Sequence, residues 1–348
     1  MITVDVNVGK GYNIYIGKGL LESTGELALE VIKPCTAAII SDDKVDALYA
    51  DRLTVSLEGA GFKVIKYVFP NGEASKNSAT FVSILEFLAK NKLGRTDVIF
   101  ALGGGVVGDM AGFAAACYLR GIRFVQIPTT LLAAVDSSVG GKTGIDLEAG
   151  KNLAGAFYQP EIVICDPMLL DTLDKAVFAD GLAEAIKYGA IYDAHMLDLT
   201  SADLLDVEAI IKRSAEIKAA VVEKDEKESG IRQILNFGHT FGHAVEKCSN
   251  YTISHGSAVA IGMAIISRAC EKLGRIEVSY RERIEDILKK NSLPTRTGFD
   301  ADALFEAMLS DKKRRNDNIT LVLPKIPGEC ELLSLTLEKA KELLELGL

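Results

Sequence analysis

The chain has 348 residues, of which 48% are apolar and 25% are charged, and its formal net charge is −9. A single core rarely grows past about 250–300 residues, so this length predicts two domains. The acidic balance excludes a general nucleic-acid-binding protein, which would carry a basic footprint. No stretch is suited to a membrane span or a signal peptide, so we expect a cytoplasmic protein without a membrane partner.

The first half of the chain alternates strand and helix patterns. Short apolar runs between turn residues predict strands at Val4–Val8, Asn13–Ile16, Thr36–Ser41, Phe62–Phe69, Asp97–Leu102, Phe124–Ile127 and Ile162–Cys165. Helical periodicity or composition predicts helices at Lys44–Ala60 and Ala79–Lys90. This alternation predicts a mainly parallel, Rossmann-like sheet covered by helices, in an α/β domain of residues 1–170.

The pattern changes after Asp166-Pro167. From Leu169 onward most segments have a helical period, and strands are predicted only at Ile319–Leu323 and Cys330–Leu333. We therefore expect a mainly α-helical C-terminal domain over residues 171–348.

A glycine-rich turn, Gly103–Asp109, follows a predicted strand and begins a predicted helix. Its G-x-G-x-x-G spacing would let the backbone approach a pyrophosphate held by helix N–H groups, although a tight packing turn is the alternative. No acidic residue ends a strand about 20 residues further on, so a standard Rossmann order is not favoured. The polar turn Asn71–Lys76 and the pair Thr129-Thr130 are candidates for the same site.

Two lysines flanked by small or polar residues suggest an anion site. Asp136–Gly144 contains Lys142 but lacks the glycine spacing of a P-loop, which excludes a P-loop ATPase. Gly150-Lys151-Asn152 repeats the theme. Small neighbours let a ligand approach closely, so we interpret both lysines as anion ligands; the alternative is a solvated loop. Further cations, each more typical of a solvated surface when taken alone, are Arg120, Lys187, Lys218, Arg232 and Lys312–Arg315.

Three of the four histidines, His239, His243 and His255, fall within seventeen residues. On a helix, His239 and His243 lie one turn apart on one face, which is a common metal-ligand spacing, although the glutamate of the zincin motif is missing. Helix-packing histidines are the alternative. Clustering in so histidine-poor a chain favours a metal site, with His255 expected to begin a helix and His195 expected at the surface.

Several motifs that occur in order resemble one family. They are Gly103–Asp109, Tyr118–Gly121, Gln126–Ala133, Val135–Thr143, Gly150–Ala154, Glu184–Lys187 and Leu235–His243. Together they resemble the 3-dehydroquinate synthases, which are sugar-phosphate cyclases. The resemblance implies a dehydroquinate synthase-like fold and conversion of 3-deoxy-D-arabino-heptulosonate 7-phosphate (DAHP) into 3-dehydroquinate and phosphate, in the shikimate route to chorismate and aromatic amino acids. It also implies NAD that is reduced and regenerated within each turnover, a zinc or cobalt ion, and a homodimer.

The resemblance also implies roles for particular residues. The metal ligands would be Glu184, His239 and His255, which moves His243 from the metal to the substrate. NAD would be bound in residues 1–170 and just beyond, by Asp42, Asn71, Gly72, Glu73, Ala74, Ser75, Lys76, Gly104, Gly105, Val106, Val107, Gly108, Asp109, Thr129, Thr130, Lys142, Lys151, Leu169, Leu170, Asp171, Thr172 and Leu173. Substrate and catalytic contacts would come from Asp136, Lys142, Lys151, Asn152, Lys187, Lys218, Arg232, Asn236, His243 and Lys312, with Arg120 reaching the partner subunit's site.

Three other functions remain open at this point. A metal-dependent polyol or alcohol dehydrogenase would release NADH and would not need the lysine-rich set. A different sugar-phosphate cyclase would share metal, NAD and phosphate departure. A non-enzymatic NAD-sensing module would need neither the metal ligands nor the lysines.

Overall fold

The computed structural model describes residues 1–311 and 318–348, so Lys312 lies outside the described residues. The described chain divides into two compact units. One is Met1–Leu173 with Lys218–Glu226, and the other is Asp174–Ile217 with Lys227–Leu348. The predicted single boundary after residue 170 differs from this division, because Lys218–Glu226 also belong to the first unit. The sequence alone does not reveal where the end of a long helix packs.

The first unit contains strands and short helices in alternation. Its strands are β1 (Ile2–Val6), β2 (Tyr12–Ile16), β3 (Thr36–Asp42), β4 (Lys63–Phe69), β5 (Val98–Gly103), β6 (Arg123–Pro128), β7 (Lys142–Leu147), β8 (Gly150–Phe157) and β9 (Ile162–Cys165). Its helices are α1 (Thr24–Leu29), α2 (Asp43–Val45), α3 (Asp51–Gly59), α4 (Ser78–Lys90) and α5 (Gly105–Cys117). A π-helical turn, Asp46–Ala50, joins α2 to α3, so the predicted helix over Lys44–Ala60 is interrupted by this turn.

Seven strands of the described chain form one sheet in the order β1-β2-β9-β6-β5-β3-β4. The β1–β2 pair is antiparallel and the other neighbours are parallel, which confirms the predicted mainly parallel sheet. Every residue of β5 is buried, as expected for a strand covered on both faces. Phe100 and Leu102 pack into the core on one face, while Ile99 and Ala101 pack into the core on the other.

The strand order creates a switch point between β3 and β5. From β3 the chain moves to β4 on one side, then returns to place β5 on the other side of β3. The carboxyl ends of β3 and β5 are therefore neighbours, and the Ser41 hydroxyl donates to the Leu102 carbonyl at 2.8 Å. In open α/β sheets ligands bind outside strand ends at such a point. Asp42, the last residue of β3, and the glycine turn at the end of β5 both lie at this switch point.

The segment around Lys142 and Lys151 is an antiparallel hairpin of β7 and β8, which the sequence did not predict. Gly144 and Gly155 face each other across it. A Cβ on Gly144 would lie 2.7 Å from the Ala154 carbonyl oxygen. These two glycines therefore serve close approach of the strands, and the segment is a hairpin rather than the solvated loop that was the alternative to an anion site.

The second unit is mainly helical, as predicted. Its helices are α6 (Lys175–Ile191), α7 (His195–Ser201), α8 (Val207–Lys224, of which the last part belongs to the first unit), α9 (His239–Cys248), α10 (His255–Lys272), α11 (Val278–Lys290), α12 (Ala301–Asp311) and α13 (Leu337–Gly347). One hairpin, β10 (Asn318–Ile326) and β11 (Glu329–Thr336), contains both predicted strands. None of the helices in residues 1–311 and 318–348 is long and apolar enough to cross a membrane.

Glycines let α9 and α10 pack closely. A Cβ on Gly262 would overlap the Gly238 backbone, and one on Gly242 would lie 3.0 Å from the Ala258 carbonyl oxygen. Both helices begin with a histidine, and the ring centroids of His239 and His255 lie 5.2 Å apart. Close packing of the two helices thus brings their first residues together.

The start of α10 also packs tightly on α6, which gives a stability prediction. A Cβ on Gly256 would overlap the backbone of Asp180. Gly256→Ala should therefore displace the first turn of α10 and lower the free energy of unfolding by about 1–3 kcal/mol, measured by chemical denaturation. Gly59→Ala is the control, because nothing lies within 4 Å of a Cβ there. Equal stabilities of the two variants would contradict the prediction.

Candidate active site

Three side chains of the second unit form a group that could hold a metal ion. Glu184 is fully buried on α6, while His239 and His255 are the first residues of α9 and α10. Glu184 Oε1 lies 3.5 Å from the Nε2 atom of each histidine. Ligands 2.0–2.2 Å from a tetrahedral metal are separated by about 3.4 Å, so this spacing fits one ion. Two imidazoles and one carboxylate are also a donor set of catalytic zinc, with a position left open.

The other ring nitrogens of both histidines have hydrogen-bonding partners. Nδ1 of His239 lies 3.2 Å from the Phe237 carbonyl oxygen, and Nδ1 of His255 lies 3.4 Å from Glu246 Oε2. Metal-binding histidines usually donate their second N–H to such acceptors, which orients the ring. Both contacts leave Nε2 facing Glu184.

The two histidines differ in their protonation. Burial lowers the pKa of His239 to about 3, so its ring is neutral, the form that binds metals. Burial also lowers the pKa of His255, but hydrogen bonds and negative charge from Glu184 and Glu246 outweigh it and raise the pKa to about 10. A pKa raised in this way favours a protonated ring between the two carboxylates. A divalent ion would take over this charge compensation and displace the proton.

His243 lies beside this group but is not part of the same set of three. Its ring centroid is 5.5 Å from that of His239 and 6.0 Å from that of His255. It forms a second possible ligand group with Glu246 and His255. Helical spacing alone predicted His239 and His243 as a pair of metal ligands, but neither group contains both. The histidine nearer to His239 is His255, from α10.

Other predicted substrate residues of the second unit lie on α6 and in the turn that precedes α9. Lys187 is buried and donates a hydrogen bond to Glu184 Oε2. Asn236 ends a 3₁₀ turn, Ile231–Asn236, and donates to Glu228 Oε1 at 2.8 Å. Arg232, in the same turn, is 1% exposed. The second unit therefore holds, besides the metal-ligand group, cationic and amide donors of the kind that suit an anionic ligand.

The glycine turn in the first unit combines a helix N-terminus with tight packing of its backbone. Gly104 is the N-cap of α5, so the first N–H groups of the helix lie at the end of β5. Cβ atoms would lie 2.7 Å from Gln126 Oε1 at Gly108 and 3.0 Å from the Thr130 side chain at Gly104. Glycine is thus needed for packing, and the same packing exposes a helix N-terminus that suits phosphate.

A network of charged side chains lies beside this helix. Lys76 is buried, and its Nζ donates to Asp109 Oδ2 and Asn152 Oδ1, both at 2.6 Å. Coulombic attraction from Asp109 is the main reason that the pKa of Lys76 is raised in spite of burial. Lys151 Nζ lies 3.6 Å from Glu73 Oε1. Predicted cofactor residues and predicted substrate residues therefore meet in one network.

The remaining predicted positions of the first unit are also located. Asp42 is buried and accepts from the backbone N–H of Val45, and Asn71 N–H donates to Asp43. Thr129 N–H donates to the Gly103 carbonyl, and Thr172 bonds Tyr49 at 2.6 Å. Leu169 to Thr172 lie in a 3₁₀ turn, with Leu173 directly after it.

The predicted substrate residues of the first unit differ in their surroundings. Lys218 Nζ contacts Asp136 Oδ1 at 2.8 Å. Lys142 is exposed on β7, and Arg120 has a positive φ of 68°.

Sequence reasoning missed three acidic residues near the metal-ligand group. Glu246 contacts His255, Glu228 contacts Asn236, and Asp180 accepts from Ser254 and Ser257 at the start of α10. Glu246 lies seven residues after His239 and so two turns along the same helix face, but this spacing does not indicate its contact with His255.

Comparison with known proteins identifies the family. The profiles of the 3-dehydroquinate synthase N-terminal and C-terminal domains match residues 66–180 and 181–314. The 3-dehydroquinate synthase of Streptococcus mutans is 43% identical over 345 residues, or 97% of each chain. That of Citrifermentans bemidjiense is 49% identical over 323 residues, covering 90% of this chain and 89% of the relative.

Solved structures of two other synthases have the same fold. A 2-deoxy-scyllo-inosose synthase complexed with carbaglucose-6-phosphate, NAD⁺ and Co²⁺ superposes with a TM-score of 0.89 at 26% identity, covering 100% of both chains. The 2-epi-5-epi-valiolone synthase of Streptomyces hygroscopicus, with NAD⁺ and Zn²⁺ bound, gives 0.87 at 26% identity over 99% of this chain and 98% of that one. Because 3-dehydroquinate synthases are 43–49% identical to it over nearly its whole length, this chain belongs to the 3-dehydroquinate synthase family.

Proposed function

We propose that this chain converts DAHP into 3-dehydroquinate and phosphate, in the shikimate route to chorismate and the aromatic amino acids. The reaction oxidises a hydroxyl, eliminates phosphate, restores the hydroxyl and closes the ring by an intramolecular aldol step. The observation that carries the proposal is the Glu184–His239–His255 group, in a chain 43–49% identical to 3-dehydroquinate synthases. The same identity argues against a sensor module.

Two cofactors are required. When bound, NAD accepts a hydride and returns it, while zinc or cobalt polarises the hydroxyl that is oxidised. Glu184, His239 and His255 would hold the metal. The proposed NAD residues lie at the strand ends near the switch point, including Asp42, the turn at Gly104–Asp109, and Thr129 with Thr130. The partly buried Lys76–Asp109 pair supports this part because it fixes the start of α5 to the segment at Asn71–Lys76.

The substrate carries a phosphate and a carboxylate, and each would need its own donors. We assign the phosphate to Lys151, Asn152, Lys187, Asn236 and His243, which supply charge and hydrogen-bond donors. We assign the carboxylate to Lys142 and Arg232, since a planar guanidinium binds a carboxylate bidentately. The phosphate's own oxygen would take the proton lost during elimination, so these residues orient the leaving group and need not act as the base.

We further propose a cytoplasmic homodimer. The β7–β8 hairpin exposes Leu147, Leu153 and Phe157, each at least 44% exposed, and apolar residues grouped in this way are typical of a protein interface. Arg120, exposed in the same unit, would act in the partner subunit's site.

The redox balance tests the proposed reaction. Phosphate release from DAHP should require NAD⁺ in only catalytic amounts, and NADH should not accumulate during steady turnover, because the hydride returns to the substrate. Phosphate and the near-ultraviolet absorbance of NADH are measured in one reaction. Stoichiometric NADH without phosphate would instead identify a dehydrogenase, and NAD⁺-independent phosphate release would contradict both functions.

A further inference from the structure

Glu246 is a buried acid that none of the roles assigned above uses. It lies on α9, its side chain is 4% exposed, and its Oε2 atom lies 3.4 Å from Nδ1 of His255. An acidic side chain is seldom buried this completely without a charged or hydrogen-bonding partner. His255 provides that partner, and the Nε2 atom of the same ring faces Glu184 Oε1 at 3.5 Å.

This contact would set the tautomer of a neutral His255 ring. A neutral imidazole has one N–H, and whichever nitrogen carries it cannot bind a metal. Once a metal has displaced the second proton of the ring, a carboxylate at Nδ1 would keep the remaining proton there and leave the Nε2 lone pair for the ion. His239 is arranged in the same way, but its acceptor is the backbone carbonyl of Phe237. The two ligands thus differ in that only the orientation of His255 depends on an ionisable side chain.

The charge of Glu246 adds to this effect. A carboxylate that accepts from a coordinated imidazole makes the ring a stronger donor to the metal. With Glu184 it also gives two negative charges for a divalent cation, in a place where both carboxylates are buried. We propose that Glu246 is a positioning residue that fixes His255 for metal binding through Nε2 and raises the affinity of the site for a divalent ion. This inference rests on the metal centre proposed above.

The backbone of His255 is held separately from its ring. Asp180 Oδ1 accepts from the Ser254 hydroxyl at 2.7 Å and from the Ser257 N–H at 3.0 Å, on either side of His255. Gly256 lets this turn lie against the Asp180 backbone. Loss of the Glu246 carboxylate should therefore free the ring while the first turn of α10 stays in place.

The test is metal affinity, which needs no substrate. Cobalt and zinc dissociation constants are measured for the full chain and its variants by competition with a chelator, together with the visible absorption of the cobalt form. Glu246→Ala should weaken metal binding about 10- to 100-fold and shift the cobalt absorption. Glu246→Gln should weaken it less than about tenfold, because the amide oxygen can still accept from Nδ1–H but carries no charge.

Glu285→Gln is the matched control. Glu285 is another buried acid of the second unit, 5% exposed, and it pairs with Arg268 at 2.8 Å. Its variant should lose stability and keep the metal affinity. The proposal would be overturned if Glu246→Ala bound metal within twofold of the affinity of the unmodified chain and had the same cobalt absorption. Two bound metals per chain that fall to one in that variant would also overturn it, since Glu246 would then be a ligand. A chain that binds no metal before any substitution would instead overturn the metal centre itself.

Discussion

His239→Ala should lose its metal ion and nearly all its activity. The substitution reduces the group at Glu184, His239 and His255 from three ligands to two, and it removes the histidine whose ring is neutral after burial lowers its pKa to about 3. Loss of a residue that merely contacts a ligand costs about 10- to 100-fold in metal affinity, so loss of a ligand should exceed 100-fold. Metal content after gel filtration and kcat/KM for DAHP are the measurements.

A chelator and a second histidine variant complete this experiment. Chelation should abolish the activity of the unmodified chain, and zinc or cobalt should restore it, but neither ion should restore His239→Ala at the same concentration. His195→Ala is the control, because the His195 side chain is 64% exposed on α7. Full metal content in purified His239→Ala would show that the ligand assignment is wrong.

The seven strands of the main sheet could be predicted because each has a strong local signal. Val98–Gly103 is a continuous apolar run that ends in glycines, and the helix after it begins where the glycine spacing indicates. The β7–β8 hairpin was missed because its glycines, which allow the two strands to approach, are also typical of a loop. The acidic residue next to the glycine turn was sought about 20 residues downstream. In this sheet the strand next to β5 is β3, which comes earlier in the chain. The acidic residue at its end, Asp42, therefore lies upstream of the glycine turn.

The metal-ligand group could be predicted only through resemblance. Helical spacing pairs His239 with His243, whereas the structure sets His239 against His255, sixteen residues further on, and against Glu184 from another helix. Which histidine completes the group depends on the packing of α9 on α10, which Gly238, Gly242 and Gly262 permit. The contact of Glu246 with His255 depends on the same packing, so no local pattern could establish it.

Arg232→Ala should separate DAHP from sugar phosphates that lack a carboxylate. If the guanidinium binds the carboxylate of DAHP, its removal costs the roughly 1.5–3 kcal/mol of a charge-assisted hydrogen bond. That corresponds to a 10- to 150-fold fall in kcat/KM at about 1.4 kcal/mol per decade. Turnover of a carboxylate-free heptose phosphate should change little or improve. A competition assay with both substrates, on the unmodified chain and the variant, measures the ratio directly.

Burial makes a stability control necessary for this variant, because Arg232 is 1% exposed and truncation could act through packing. Arg268→Ala provides the comparison: Arg268 is also buried in the second unit, and its Nε donates to Glu285. This variant should lower stability and leave the ratio of the two substrates unchanged. Equal losses for both substrates in Arg232→Ala would assign Arg232 a structural role and place carboxylate recognition elsewhere. Preference of the unmodified chain for the carboxylate-free sugar would identify a different sugar-phosphate cyclase, because metal, NAD and phosphate departure are common to both and only the carboxylate distinguishes their substrates.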